Sequence, residues 1–190
     1  MRYSFILKSV LGLACMAWCV ATPASAAPIL TGNVTASYLF PDASTVYSSS
    51  TFAVGSSLSC PSVAAICNPF AEPATLSASG LAITLTELGG SSYSNGAFNG
   101  IQFSGLTFND GSSITGFVLD SDLPGLTAAA VSFTANSIQY NAQGLAFPNN
   151  YHITLNLLTS TAVPEPLTLT VFGAGLAGAA ALRRRKAKSV

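Results

Sequence analysis

The chain has 190 residues, 49% hydrophobic and 7% charged, with a formal net charge of +0. That balance conceals a division: the bases Arg2, Lys8, Arg183, Arg184, Arg185, Lys186 and Lys188 sit at the two ends, and the acids Asp42, Glu72, Glu87, Asp110, Asp120, Asp122 and Glu165 lie between them. A middle with neither Lys nor Arg cannot neutralise phosphates through side chains, which excludes nucleic acid as a partner.

Residues 1–26 read as a secretory signal peptide. Arg2 and Lys8 supply a positive start, residues 10–20 an apolar run, and Ala24-Ser25-Ala26 a small-residue cleavage signature. The apolar run is too short to span a bilayer, and Pro23 lies just beyond it as a helix breaker. Gly12-Leu13-Ala14-Cys15 loosely matches a lipoprotein signal, but Cys15 lies inside the apolar run rather than after it. The general secretion machinery is therefore the first expected partner.

Residues 27–162 form the expected extracytoplasmic domain, long enough for one independent core. Ser48 to Ser57 and Gly89 to Gly96 read as polar loops. Cys60 and Cys67 are the cysteines left once Cys15 and Cys19 depart with the signal, and an even pair in an oxidising compartment reads as a disulfide. Apolar and polar residues then alternate. Leu81, Ile83 and Leu85 share one phase, Val131 and Phe133 another, then Ile138 with Tyr140, and finally Tyr151, Ile153, Leu155 and Leu157. Asn95-Gly96 and Asn99-Gly100 are turn candidates, and Asn109-Asp110-Gly111 is a hairpin signal between flanking apolar runs. Thr127 to Ala130 is long enough for one helical turn. Short strands between Gly/Asn/Pro turns, with helix formers scarce, predict an all-β domain, an antiparallel β-sandwich or jelly-roll-like fold.

The segment 163–190 closes the sequence. Residues 167–182 are apolar or small apart from Thr168 and Thr170. As a helix they extend about 24 Å, slightly short of a hydrocarbon core of about 30 Å. A single C-terminal transmembrane helix is expected there. The basic cluster Arg183, Arg184, Arg185 and Lys186 comes directly after it and stays cytoplasmic by the positive-inside rule, which leaves the domain outside. Val163, Pro164, Glu165 and Pro166, then this short apolar helix, then the arginines, resemble the PEP-CTERM sorting domain. The resemblance covers about 163–190. It implies recognition by an exosortase, transient anchoring in the inner membrane through 167–182, and release to the cell surface or an exopolysaccharide matrix. It names a route and no activity.

Catalytic signals are weak. His152, the sole histidine, is the only base a Ser/His/Asp site has, and it falls on the polar phase of its strand. Asp120 and Asp122 make a carboxylate pair ahead of Leu123-Pro124-Gly125, which reads as a solvated turn. Asp120-x-Asp122-x-x-Gly125 also begins like a calcium loop, but Pro124 takes a ligand position and Val131 stands where the bidentate Glu belongs. No catalytic residue, metal or cofactor is assigned. Tyr38, Tyr47, Tyr93 and Tyr151 are candidate platforms for stacking sugar rings. The expected function is a non-enzymatic surface or biofilm-matrix protein, the alternative a glycan-binding module, and a secreted hydrolase comes third.

Overall fold

The computed structural model describes residues 27–70, 73–160 and 175. The expected signal peptide over 1–26 lies outside these residues. So do Val163, Pro164, Glu165, Pro166, Arg183, Arg184 and Arg185 and, save for Gly175, the expected membrane helix over 167–182. Among the described residues no helix is long and apolar enough to cross a membrane.

The alternating sequence folds into short strands linked by tight turns. In chain order they are β1 (Leu30–Thr31), β2 (Asn33–Leu39), β3 (Val46–Ala53), β4 (Ser57–Cys60), β5 (Ala74–Ser79), β6 (Ala82–Glu87) and β7 (Ser91–Ser92). They continue with β8 (Gly100–Ser104), β9 (Thr107–Phe108), β10 (Ile114–Ser121), β11 (Val131–Phe133), β12 (Ser137–Tyr140), β13 (Ala146–Phe147) and β14 (Tyr151–Thr159). Single 3-10 turns cover Ala65–Cys67 and Ala128–Ala130, the second where one helical turn was expected.

Ten strands form two five-stranded sheets, ordered β10-β14-β6-β5-β4 and β11-β12-β8-β2-β3, and every pairing is antiparallel. The expected all-β, antiparallel architecture is what the described residues adopt. The pairs β1-β9 and β7-β13 form two further two-stranded sheets. Val34, Ala36, Ile101, Phe103 and Ile138 of one sheet bury against the same core as Leu76, Ile83, Leu85, Ile153 and Leu155 of the other. Period-two side-chain geometry puts these residues on the inner faces, and their burial is the main source of stability. The rings of Phe117 on β10 and Phe133 on β11 meet edge-on at 5.9 Å, bringing those two edge strands together. The disulfide Cys60–Cys67 ties the end of β4 to the first 3-10 turn, as expected.

Three local expectations are corrected. Asn109-Asp110-Gly111 does make a turn, closed by the Gly111 N–H donating to the Phe108 carbonyl at 3.2 Å with Gly111 at φ +73. It joins no hairpin, because β9 before it pairs with β1 and β10 after it pairs with β14. Turn chemistry sets the local reversal, whereas the buried faces choose the partner strand. Asn99-Gly100 is not a turn: Gly100 opens β8, where an added Cβ would collide with the Tyr140 carbonyl oxygen. Ser48 to Ala53 is no loop but most of edge strand β3, paired to β2 from Asn33↔Ala53 onward. Serine and threonine runs read as loop by composition, and only the pairing with β2 makes them strand. Within Gly89 to Gly96 the short strand β7 also appears, and Tyr93 is buried.

Candidate functional site

β6 carries Ile83, Leu85 and Glu87 on one phase, so Glu87 is drawn inward with its apolar neighbours and is only 4% exposed. Antiparallel pairing sets Tyr151 of β14 directly opposite it. The Tyr151 hydroxyl donates to Glu87 Oε2 at 2.5 Å and lies 3.0 Å from the Tyr93 hydroxyl. The Tyr93 hydroxyl in turn lies 3.5 Å from that of Tyr140 on the opposing sheet. One polar chain thus crosses the core from sheet to sheet. Phenols suit this position because they combine large apolar rings with a hydroxyl that finds a partner.

Burial is the main cause that pushes the Tyr93, Tyr140 and Tyr151 hydroxyls well above the ordinary phenol range. Charge on neighbouring tyrosines and on Glu87 adds to it at Tyr140 and Tyr151. Tyr38 is also raised, by burial first, although its hydroxyl donates to Asn99 Oδ1 at 2.5 Å. Asn99 is itself buried and donates through Nδ2 to the Ser94 carbonyl at 3.0 Å, which holds the loop beside the cluster.

Beside this network a cleft of about 130 Å³ opens, lined by Tyr38, Phe70, Glu87, Ser92, Tyr93 and Phe147 among others. The Tyr93 and Phe147 rings stand at 62° with centroids 5.1 Å apart, and Phe147 lies at 5.1 Å from Tyr151. The cleft therefore offers aromatic walls with a carboxylate among them.

The four tyrosines proposed as sugar platforms separate. Tyr151 is fully buried and Tyr93 nearly so, and neither ring leaves a face open for stacking an extended glycan. Tyr38 is half-buried and meets Tyr47 edge-on at 5.9 Å. Tyr47, 62% exposed, is the open ring of the set. Glu87, Tyr140, Asn99 and Phe147 were not singled out from sequence. For Glu87 and Tyr140 a signal existed, since they continue the phases of Ile83 with Leu85 and of Ile138; for Asn99 and Phe147 only the fold brings them near.

On the outer face, His152 gathers the two acids considered with it. Its Nδ1 lies 3.2 Å from Asp122 Oδ1 and its Nε2 3.5 Å from Asp120 Oδ1. The His152 backbone N–H donates to Asp122 Oδ1 at 2.6 Å, the leading reason the Asp122 carboxyl is held below its ordinary value. Both ring nitrogens thus face carboxylates, and the nearby Ser121 hydroxyl donates instead to the His152 carbonyl oxygen at 2.8 Å. A nucleophile-base pair needs a hydroxyl at the ring nitrogen, and this arrangement supplies acids there. Among the described residues no three His, Cys, Asp or Glu side chains are arranged to hold a metal ion.

The family model of the PEP-CTERM protein-sorting motif matches residues 162–186. The chain carries a PEP-CTERM sorting motif. The match spans Val163-Pro164-Glu165-Pro166 and the arginines 183–185, the residues on which the resemblance was drawn. A PEP-CTERM motif marks an exported, exosortase-sorted cell-surface protein, with exosortase as the processing partner. No curated protein and no solved structure matches the chain.

Proposed function

We propose that the exported domain is a non-enzymatic component of the cell surface or of an exopolysaccharide matrix. In this reading the signal peptide over 1–26 delivers it through the general secretion machinery. The helix over 167–182 anchors it in the inner membrane until exosortase acts at the Pro-Glu-Pro motif.

The observation that carries this reading is the chemistry of the exterior. Across one sheet Thr75, Thr86 and His152 lie in register, and Ser77, Thr84 and Thr154 in the next rank. Thr84 and Thr154 join hydroxyls at 3.0 Å. Across the other sheet Thr35 and Thr51 join hydroxyls at 2.8 Å, and Gln102 Nε2 donates to Gln139 Oε1 at 3.0 Å. Hydroxyls and amides exchange hydrogen bonds with hydrated polysaccharide without requiring charge. Edge strand β3, Val-Tyr-Ser-Ser-Ser-Thr-Phe-Ala, also lacks the charges and prolines that normally blunt a sheet edge, which favours pairing between copies. The acid-flanked geometry at His152 supports the non-enzymatic part of the reading.

A glycan-binding module is the second reading, favoured by the exposed Tyr47 ring within this hydroxyl-rich surface. Affinity electrophoresis of the exported protein through the producer's own polysaccharide separates the two. Free migration together with self-assembly supports a matrix component, and specific retardation lost in Tyr47→Ala supports glycan binding. Release of reducing ends from that polysaccharide by the pure protein would overturn both in favour of a hydrolase.

A further inference from the structure

We propose that the cleft walled by Tyr38, Phe70, Tyr93 and Phe147, with Glu87 among them, binds a small alkylated ammonium ion. The proposal is independent of the matrix reading, because it concerns a pocket between the sheets rather than the outer faces.

Three features select this ligand. Aromatic rings attract a cation placed within about 6 Å of their centroids, most strongly where water is excluded. Tyr93 and Phe147, inclined at 62° with centroids 5.1 Å apart, both line the cleft, as do Tyr38 and Phe70, with Pro69, Ser92 and Ser94 beside them. Glu87 adds a buried carboxylate to the same lining. Its Oε2 already accepts from Tyr151. A quaternary ammonium donates no hydrogen bond, so it gains from the carboxylate's charge without displacing the bonds the side chain makes. Second, no Lys or Arg lies between residues 9 and 182, so the field around an acidic domain draws cations toward the cleft. Third, size agrees. The cleft measures about 130 Å³; a cavity of about 150 Å³ admits benzene, and a trimethylammonium head is of comparable bulk. A polysaccharide chain does not fit such a space.

The test uses the exported protein and two isosteric probes, choline and its neutral carbon analogue 3,3-dimethylbutan-1-ol, followed by tyrosine fluorescence and NMR. Choline is expected to saturate the cleft at least about tenfold more tightly than the carbon analogue. Phe147→Leu, which keeps an apolar filling, should weaken choline about tenfold. Glu87→Gln should weaken choline while leaving the neutral analogue unchanged. Should Glu87→Gln fail to fold, the comparison of charged with neutral probe still decides. Displacement of choline by phosphatidylcholine vesicles identifies a lipid headgroup as the source, and no displacement identifies a soluble ammonium. Equal affinity for the two probes, no saturable response to choline, or unchanged choline affinity in Phe147→Leu overturns the proposal.

Discussion

At the scale of single residues, the tyrosine network controls how the domain responds to base. In the folded state Tyr93, Tyr140 and Tyr151 hold their protons far more firmly than a free phenol of pKa 10.0, chiefly because burial penalises the phenolate. When folding raises a pKa, the associated stability is fully present below the unfolded value and is lost as pH rises toward the folded one. Stability should therefore hold up to about pH 10 and decline above it. Ultraviolet titration of the Tyr38→Phe, Tyr47→Phe double variant, after signal removal, reports on the three buried phenols. Their ionisation is expected only together with loss of the far-ultraviolet strand signal. Ionisation near the ordinary phenol value in an intact fold would refute the burial argument. Acid acts with the opposite sign. The Asp42, Asp110 and Asp122 carboxyls are held below their ordinary value of 3.8, first by hydrogen bonds from Ser44, Ser112 and His152 respectively. Their contribution is present above that value and lost as pH falls through the lower folded ones.

At the scale of elements, the link between β4 and the 3-10 turn Ala65–Cys67 replaces what a hairpin does elsewhere. Cys60 and Cys67 are bonded and buried, and the Ile66 N–H donates to the Ser50 hydroxyl of β3 at 3.1 Å. The segment therefore bridges the edge strands of the two sheets, β4 and β3. Thiol labelling of the unreduced, denatured domain is expected to find no free cysteine. The Cys60→Ala, Cys67→Ala variant should lose at most about 2.5 kcal/mol of stability in urea unfolding, the chain-entropy value for so short a loop. A larger loss would mean that packing at Ile66, rather than loop closure, carries the link. Strand β8 makes a related point: its first residue, Gly100, comes so near the Tyr140 carbonyl that no side chain fits. Glycine read as a turn signal is there for close approach.

At the scale of the molecule, the charge distribution makes a test of processing. Trypsin cuts after Lys and Arg, and every such residue lies at or before Lys8 or at or after Arg183. A protein that has lost its signal near Ala26 and its tail near Pro164-Glu165-Pro166 contains no tryptic site, even when reduced and fully denatured. Intact-mass measurement before and after digestion should show no change. A mass loss matching the residues after Arg183 would show that the basic end is retained, and sorting by cleavage would then be wrong for this protein. The same absence of Lys and Arg leaves the domain to apolar burial and to polar chains such as Glu87-Tyr151-Tyr93-Tyr140, with His152 set between the Asp120 and Asp122 carboxyls on the outer face.

Much of this was legible in the chain. The sorting motif is read from linear order alone, because it is one contiguous segment, residues 162–186. The alternation of Tyr151, Ile153, Leu155 and Leu157 announced strand and inward face together, since side-chain direction in a strand depends only on parity. The disulfide came from counting cysteines in an exported domain. Strand partners could not be read the same way, because β9 and β10 flank a good hairpin turn yet join different sheets. Ser48 to Ala53 likewise reads as loop until β2 lies beside it. The cleft belongs to tertiary structure: Tyr38 and Tyr93 were read as candidate platforms one by one, and only the fold sets them beside Phe70, Glu87 and Phe147, which are scattered along the chain. The alternating pattern carries each residue's own face; only the stacking of two sheets over one core decides which distant residues share a pocket.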